Sequence, residues 1–540
     1  MGSSPIFIFS FLYWKILMFK FNDESKTWNK KVSFITRMFK FFKLIYLYLT
    51  TNFSGFLNIF YFFKKVKNFM LFILKSNLYN YNFFNPSIYL WLFYIFINIL
   101  SLEMLFWFDK SIGRLQFYYE VDYLNFGYES ILALNFGLDG ISIFLILLNN
   151  FIVPLCLFYY WYMINLDGIV CFILLHLFIT LAFTAMDLVV FFIFFEAVLI
   201  PMFFLIGSWG SRSRRIKASF YFFIYTLVGS VFMFLAILVI YFETGTTSII
   251  LLKNYIFDFP TEKLLWLGFY LAFSTKVPMF PFHLWLPEAH VEAPTTGSVI
   301  LAALLLKLGG YGFIRVSLSL FCKASNYFTP LIYMIGVISI IYATLTTIRQ
   351  IDLKKIIAYS SIVHMNLMIL GIFSGNLLGI QSSIFLMLAH GIISSAMFFL
   401  IGMLYDRTKT RQLRYYGGLI QVMPITGFLI LFFSFANISF PGTFSFAGEI
   451  LIFCGLFQKN TSVMFLACLG IMLSAVYSIW LVNRMIFGNL KVTYIKQYYD
   501  LTRHEVIVLL PLFFYVLFFG VIPNIILNYI YSSALLLSLI

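Results

Sequence analysis

The chain has 540 residues, of which 62% are hydrophobic, 21% are aromatic and 11% are charged, with a formal net charge of +15. Soluble domains are nearer half apolar and a quarter charged, so this composition excludes a soluble globular protein. In lipid, only helices and closed barrels satisfy the backbone, and the apolar runs are too long for barrel strands, so we predict a helical polytopic membrane protein.

The N-terminal region is strongly basic, because residues 1–80 carry ten of the fifteen net positive charges. Its cations alternate with aromatic and aliphatic residues, as in FFKLIYLYL and YFFKKVKNFMLFILK. This pattern favours helices at an anionic membrane surface over a nucleic-acid-binding segment. We predict that residues 1–85 form a basic, aromatic extension of interfacial helices. Residues 5–19 are a candidate for one extra span, although Lys15 argues against it.

From residue 86 onward the chain is a succession of apolar runs with short connections, which predicts one membrane domain over residues 86–540. Most runs approach or exceed the length needed to cross the hydrocarbon core. The predicted spans number about fourteen: 86–108, 136–161, 168–186, 187–208, 218–242, 264–282, 297–318, 328–348, 356–373, 378–402, 420–440, 444–459, 461–487 and 505–530.

Three loops of this domain are basic: SRSRRIK at 211–217, RQIDLKK at 349–355 and DRTKTRQLR at 406–414. Four predicted spans separate the first loop from the second, and two separate the second from the third. Even numbers place all three loops on one face of the membrane, in agreement with the positive-inside rule.

Several titratable residues lie inside the predicted spans, where lipid would be expected. A charge at the bilayer centre costs roughly 2.5–3.5 kcal/mol on insertion scales, so such residues must be paired, hydrated or neutral. Their recurrence on successive helices predicts a continuous hydrated line for ion transfer. The candidate residues are Glu196, Lys276, Lys307, His364, His390 and Glu449.

Each of these residues also has a structural interpretation. Glu196 could be a structural partner of another helix, and the two lysines could extend their side chains to an interface. The two histidines could be neutral core residues bonded to a neighbouring helix. Glu449 lies near a helix start, where the helix dipole favours an acid.

Two apolar segments are interrupted by helix-breaking residues. LAFSTKVPMFPFHLW contains Pro278 and Pro281 directly after Lys276, and ANISFPGTFSFAGEI contains Pro441 and Gly442 before Glu449. Broken helices in corresponding positions of two halves are typical of inverted-repeat transporters. A break frees backbone groups and admits water where protein surrounds it, which would hydrate a buried lysine.

The cysteines form no CxxC motif, and the chain has no dinucleotide fingerprint or phosphate loop. The residues therefore indicate no iron–sulfur, disulfide or nucleotide site in this chain.

TKVPMFPFHLWLPEAHVEAPTTGSVILAALLLKLGGYG at 275–312 closely resembles the signature of the subunit 4 family of respiratory complex I, the proton-translocating NADH:ubiquinone oxidoreductase. FGLDGIS, FFEAVLIPMF, AYSSIVHMN and AHGIISSAMFFLIGMLYDR extend the resemblance over about residues 86–530. The sibling antiporter-like subunits 2 and 5 generally carry lysine at the second broken helix, where this chain has Glu449.

The resemblance implies an all-α membrane fold of fourteen core helices, with two inverted five-helix repeats that each contain a broken helix. It implies a proton path in which Glu196 stabilises protonated Lys276. When these two separate, the proton passes to Lys307 and on by His364 and His390 towards Glu449. It implies a non-redox subunit that binds no cofactor itself, with NADH, flavin, iron–sulfur clusters and ubiquinone in partner subunits.

The expected partners are other membrane-arm subunits, especially siblings 2 and 5, and phospholipids including cardiolipin, with no nucleic acid. The Phe-, Tyr-, Ile-, Asn- and Lys-rich composition favours the mitochondrial inner membrane, with a bacterial or plastid energy-transducing membrane as the alternative. Two other functions stay open at this point. One is a stand-alone cation/proton antiporter, and the other is a membrane scaffold whose polar line is vestigial.

Overall fold

The computed structural model describes residues 86–122, 133–160, 166–491 and 499–539. The predicted extension of residues 1–85 therefore lies outside the described residues. Residues Pro86–Ile540 form one compact unit, built almost entirely from helices that the apolar runs specify.

The first part of this unit contains a short antiparallel β-hairpin between helices. Its elements, in chain order, are α1 Pro86–Trp107, β1 Gln116–Asp122, β2 Ala133–Leu138, α2 Ser142–Tyr159, α3 Leu166–Thr184, α4 Leu188–Ala197, α5 Leu199–Trp209, α6 Arg215–Thr244, α7 Ile249–Leu252, α8 Phe259–Lys276 and α9 Trp285–Glu292. In the hairpin, Tyr119 pairs with Phe136 and Gln116 pairs with Leu138.

The next segment, Thr295–Leu318, is one apolar helix of mixed winding. It consists of α10 Thr295–Ile300, a π-helical turn Leu301–Leu305, α11 Leu306–Gly312 and a second π-helical turn Phe313–Leu318. The remaining helices are α12 Cys322–Arg349, α13 Leu353–Phe373, α14 Leu377–Thr408, a 3₁₀ turn Leu413–Tyr415, α15 Leu419–Val422, α16 Pro424–Asn437, α17 Phe444–Lys459, α18 Thr461–Met485, α19 Arg503–Val521 and α20 Asn524–Leu539.

Within the described residues, ten helical segments are long and apolar enough to cross a membrane, and three shorter apolar helices accompany them. The prediction of a mostly helical multi-pass membrane protein is confirmed. Two details of it were wrong. The chain is not purely α-helical, because β1 and β2 form a sheet, and the predicted span 505–530 is two helices that separate before Pro523.

The core of the unit lies around Thr295–Leu318, α13 and α14, which are buried along almost their whole length. The peripheral helices α6, α18 and α19 instead expose rows of apolar side chains, such as Val228 and Val231 on α6. Lipid tails are as apolar as these side chains, so the exposed rows are compatible with a bilayer around the bundle.

The three basic loops meet at the C-terminal end of α9. The backbone amide of Ser211 donates to the Glu292 carbonyl at 3.1 Å, and Lys354 Nζ donates to the Ala293 carbonyl at 2.9 Å. Arg411 donates to the Val291 carbonyl. The prediction that the three loops lie on one face is therefore confirmed, and we call this the basic face.

Candidate functional site

The first helix break places Lys276 at the last residue of α8. Val277 leaves the helix with extended backbone, and Pro278 and Pro281 occupy the gap before α9 begins at Trp285. A helix C-terminus carries partial negative charge, which favours a cation at this position.

Neighbouring side chains satisfy the backbone groups that this break leaves unpaired. Trp285 Nε1 donates to the Thr275 carbonyl at 2.8 Å, and the Phe280 amide donates to Ser339 Oγ at 2.9 Å. Asn366 Nδ2 donates to the Pro278 carbonyl at 3.3 Å. Protein thus surrounds the break, which is the condition under which irregular backbone is tolerated at membrane depth.

Lys276 is only 2% exposed and points at the helix that carries Glu196. Its Nζ donates to the Phe195 carbonyl at 3.4 Å and lies 4.4 Å from the centre of the Phe195 ring. Glu196 is half-buried and within electrostatic reach of Lys276, but the two form no direct ion pair among the described residues. The acid and the base are therefore neighbours without being locked together.

A second helix break contains a proline and a glycine. α16 ends at Asn437 and α17 begins at Phe444, with Pro441 and Gly442 between them. Gly442 has φ of 86°, a left-handed conformation that glycine adopts without strain. Glu449 lies on α17 and is buried, so an acid faces the interior just beyond the break.

Four of the six candidate residues form a polar line through the core, with one gap between the two histidine rings. Lys307 Nζ is 2.8 Å from His390 Nδ1, and His364 Nδ1 is 2.9 Å from Glu449 Oε1. The rings of His364 and His390 are 5.8 Å apart between centroids, and all four side chains are buried. Apart from the step between the two rings, each contact is a hydrogen bond along which a proton can move.

Lys307 lies between the two π-helical turns of Thr295–Leu318, which we call the central helix. Its Nζ donates to the Ala302 carbonyl at 2.7 Å, which belongs to the first of these turns. A π turn shifts the backbone hydrogen-bond pattern and leaves carbonyl groups available, and such turns are frequent at functional sites. The altered winding therefore supplies a neutral acceptor for a buried ammonium group.

The six predicted residues fall into two groups. Glu196 and Lys276 form one, and the line from Lys307 to Glu449 forms the other. Among the described residues no direct hydrogen bond joins Lys276 to Lys307, so transfer between the groups requires an intervening water.

The sequence analysis did not select His290 and Lys354, which are both buried. The His290 ring stacks on Phe398 with centroids 4.7 Å apart, and His290 is within electrostatic reach of Lys307 and Lys354. The sequence did contain a signal for His290, because this residue lies in HLWLPEAHVEAP, part of the stretch quoted above for residues 275–312. Lys354 gave no signal because its basic surroundings are typical of a solvated loop.

The analysis also missed a buried ion pair at the other end of the central helix. Arg315 Nη2 lies 2.8 Å from Asp139 Oδ2, and Asp139 also accepts from the Ser142 amide at 3.0 Å. Burial acts to raise the pKa of Asp139, but the Arg315 charge and the Ser142 hydrogen bonds outweigh it and hold this pKa below its ordinary value. Asp139 lies in the quoted motif FGLDGIS, which could have drawn attention to it.

Comparison with known sequences places this arrangement in context. Residues 185–476 match the family described as NADH:quinone oxidoreductase/Mrp antiporter, TM, a range that includes all six candidate residues. NADH-ubiquinone oxidoreductase chain 4 of Chondrus crispus is 51% identical over 442 residues, which cover 81% of this chain and 90% of that relative.

Comparison with solved structures shows related folds. A chain of respiratory complex I from Thermus thermophilus with bound NADH superposes with a TM-score of 0.76 at 28% identity, covering 83% of this chain and 94% of that one. A chain of the Mrp complex from Dietzia sp. superposes with a TM-score of 0.72 at 17% identity, covering 83% and 92%. The second likeness concerns the fold alone.

Proposed function

This chain belongs to the NADH:quinone oxidoreductase/Mrp antiporter transmembrane family, and we propose that its buried Lys307, His390, His364 and Glu449 carry protons through it. It is a chain 4 member, a proton-translocating membrane-arm subunit of NADH:ubiquinone oxidoreductase. The observation that carries the proposal is the buried line from Lys307 to Glu449, in which two short hydrogen bonds flank the neighbouring rings of His390 and His364.

Glu196 and Lys276 act as the switch that loads this line. A carboxylate near a buried ammonium group stabilises the protonated form, and its withdrawal destabilises that form. Lys276 contacts α4 through the long hydrogen bond to the Phe195 carbonyl and through the Phe195 ring, without a direct ion pair to Glu196, so a small separation of α4 from α8 increases the distance between the two charges. The released proton then reaches Lys307 through water and leaves along the two histidines.

The proposal includes finer features of the fold and the assembly. The described helices belong to fourteen core helices in two inverted repeats, with the breaks at Pro278 and Pro441 in corresponding positions. The chain works as a non-redox subunit beside siblings 2 and 5 and phospholipids including cardiolipin, in the mitochondrial inner membrane. NADH, flavin, iron–sulfur clusters and ubiquinone belong to partner subunits, so energy reaches this chain by contact.

The decisive experiment uses the intact complex reconstituted in liposomes. We expect Lys276→Ala and Glu196→Ala each to abolish proton uptake driven by NADH oxidation, as followed with a pH-sensitive dye. Lys323→Ala is the matched control, because this exposed lysine lies at the start of α12 and away from the polar line. Normal pumping by either Lys276→Ala or Glu196→Ala in a fully assembled complex would contradict the proposed switch.

A further inference from the structure

The central helix carries a second polar row that runs away from the proposed proton line. Lys307, Tyr311 and Arg315 follow one another at intervals of four residues, which places them on the same side of a helix. All three are buried. The row therefore leads from Lys307, the first residue of the proton line, towards the C-terminal end of the helix.

That end lies on the membrane face opposite the basic face. The central helix starts at Thr295, beside the Ala293 carbonyl that Lys354 holds, and runs to Leu318. In the same way, Tyr159 at the end of α2 donates to Asp406 of the third basic loop at 2.7 Å, whereas Asp139 precedes the start of α2. Arg315 and Asp139 thus meet at the far face.

Beyond Lys307, the two remaining groups of this row each have a fixed partner. Tyr311 donates its hydroxyl proton to the Phe183 carbonyl at 2.9 Å and accepts from Arg315 Nε at 2.9 Å. Arg315 Nη2 faces Asp139 Oδ2 at 2.8 Å. A guanidinium group does not release its proton in proteins, so Arg315 cannot act as a relay.

A small cavity lies against this cluster. It has a volume of about 40 Å³, enough for one or two water molecules, and its polar lining comes from Asp139, Lys253, Tyr311, Arg315, Ser319 and Ser533. The charged groups around it are two cations, Arg315 and Lys253, and one anion, Asp139. Water next to this cluster is therefore exposed to a net positive charge.

We propose that Arg315, held by Asp139 and Tyr311, is an electrostatic seal that stops protons on Lys307 from leaking straight to the far face. A fixed cation beside a narrow water-accessible site repels a hydronium ion, as an arginine does in channels that exclude protons. Protons that reach Lys307 must then move sideways to His390. The inference rests on the proposed function, because it requires a mobile proton at Lys307.

The test is the passive proton permeability of liposomes that contain the complex, with no NADH supplied. A pH gradient is imposed, and its decay is followed with a trapped dye. The triple variant D139N/K253Q/R315Q removes all three charges around the cavity, because D139N/R315Q alone would leave Lys253 and an unchanged net charge. Removing both members of the buried pair together avoids leaving one buried charge unpaired. We expect the gradient of the triple variant to decay about tenfold faster than that of the unmodified complex.

Two further variants distinguish an electrostatic seal from a purely structural role of the Arg315–Asp139 pair. Arg315→Lys keeps the positive charge, so its pH gradient is expected to decay as slowly as that of the unmodified complex. Adding Lys307→Met to the triple variant removes the proton source and is expected to abolish the leak. Unchanged permeability of D139N/K253Q/R315Q would overturn the seal. A leak that persists without Lys307, or a triple variant that fails to assemble, would overturn it as well. Normal pumping by Lys276→Ala would overturn only the proposed switch.

Discussion

At the scale of single residues, the unusual feature of Lys307 is the absence of an acidic partner among the described residues. Its ammonium group is fully buried, yet it is held by a neutral carbonyl and an imidazole ring. A buried ion pair would hold the proton firmly, whereas these acceptors leave it free to transfer once His390 can receive it. Glu449 is different, because it contacts His364 directly and ends the described line.

We predict that Glu449→Gln lowers NADH-driven proton uptake by at least tenfold while assembly is retained. The amide keeps the shape of the side chain and still accepts a hydrogen bond from His364, but it cannot take up a proton. The measurement is the number of protons moved per NADH oxidised in liposomes. Glu288→Gln is the control, because Glu288 pairs with Lys355 at 2.9 Å away from the polar line. Undiminished uptake in Glu449→Gln would show that protons do not pass this acid.

The residues of the site were predictable from sequence to different degrees. A titratable side chain inside an apolar run is visible in the sequence, because the bilayer makes it costly unless it has a function or a partner. Lys307 and Glu449 were found in this way. Arg315 was not, since it lies near a helix end, where a cation has an ordinary explanation. Its partner Asp139 is distant in sequence, so only the fold brings the pair together.

At the scale of elements, the break between α8 and α9 is held in place by close packing against the central helix. A Cβ atom added at Gly309 would lie 2.6 Å from Val277 Cγ2 and 3.1 Å from both the Phe273 carbonyl oxygen and the Val277 amide nitrogen. The Val277 side chain, together with backbone groups of Phe273 and Val277, leaves no room for a side chain there. Glycine at this position therefore allows the helix that carries Lys307 to approach the segment that follows Lys276.

We predict that Gly309→Ala destabilises the chain by about 1–3 kcal/mol, the usual cost of overpacking a filled core. The added methyl group pushes the central helix away from Val277, and proton transfer between the two lysines should slow as well. Gly168→Ala is the control, because nothing lies within 4 Å of a Cβ atom at that position on α3. Survival of the intact complex on native gels after graded heating measures the effect. Equal survival of both variants would contradict the close packing.

Arg411 joins the three basic loops at the basic face and is only 1% exposed. We predict that Arg411→Met lowers the free energy of local unfolding at the basic face by about 1–3 kcal/mol, because the Val291 carbonyl and Ser211 Oγ each lose a charged donor. Hydrogen exchange of the Leu353 amide, which donates to the Arg411 carbonyl at 2.9 Å, should become faster. Arg414→Met is the matched control, since Arg414 is exposed on the same loop. Unchanged exchange in Arg411→Met would exclude this role.

The elements themselves were largely predictable, because the partition of apolar runs into lipid sets the position of spanning helices. The two π-helical turns were not, since a shift in backbone hydrogen bonding has no side-chain signature. The β-hairpin was hidden because its second strand, Ala133–Leu138, overlaps the apolar start of the predicted span 136–161. The division of the last span follows from Pro523, which lies between α19 and α20 inside an uninterrupted apolar run.

At the scale of the whole molecule, the charges divide the chain into two unlike faces. The basic loops cluster at one face, whereas the far face holds the paired Asp139 and Arg315. The proposed proton line runs between helices across the core rather than along one helix from face to face. Such a line needs a conformational change that starts outside it, so that Lys307 receives a proton and Glu449 releases one.

We therefore predict that the purified chain alone does not exchange protons for cations, whereas the assembled complex pumps protons when NADH is oxidised. Without partner subunits, nothing moves Glu196 relative to Lys276, and the line stays in one protonation state. The measurement compares liposomes that contain the isolated chain with liposomes that contain the complex, under imposed sodium, potassium and pH gradients. An empty-liposome sample sets the background. Cation-dependent proton flux from the isolated chain would mean that it is a self-contained antiporter and that loading from partner subunits is not required.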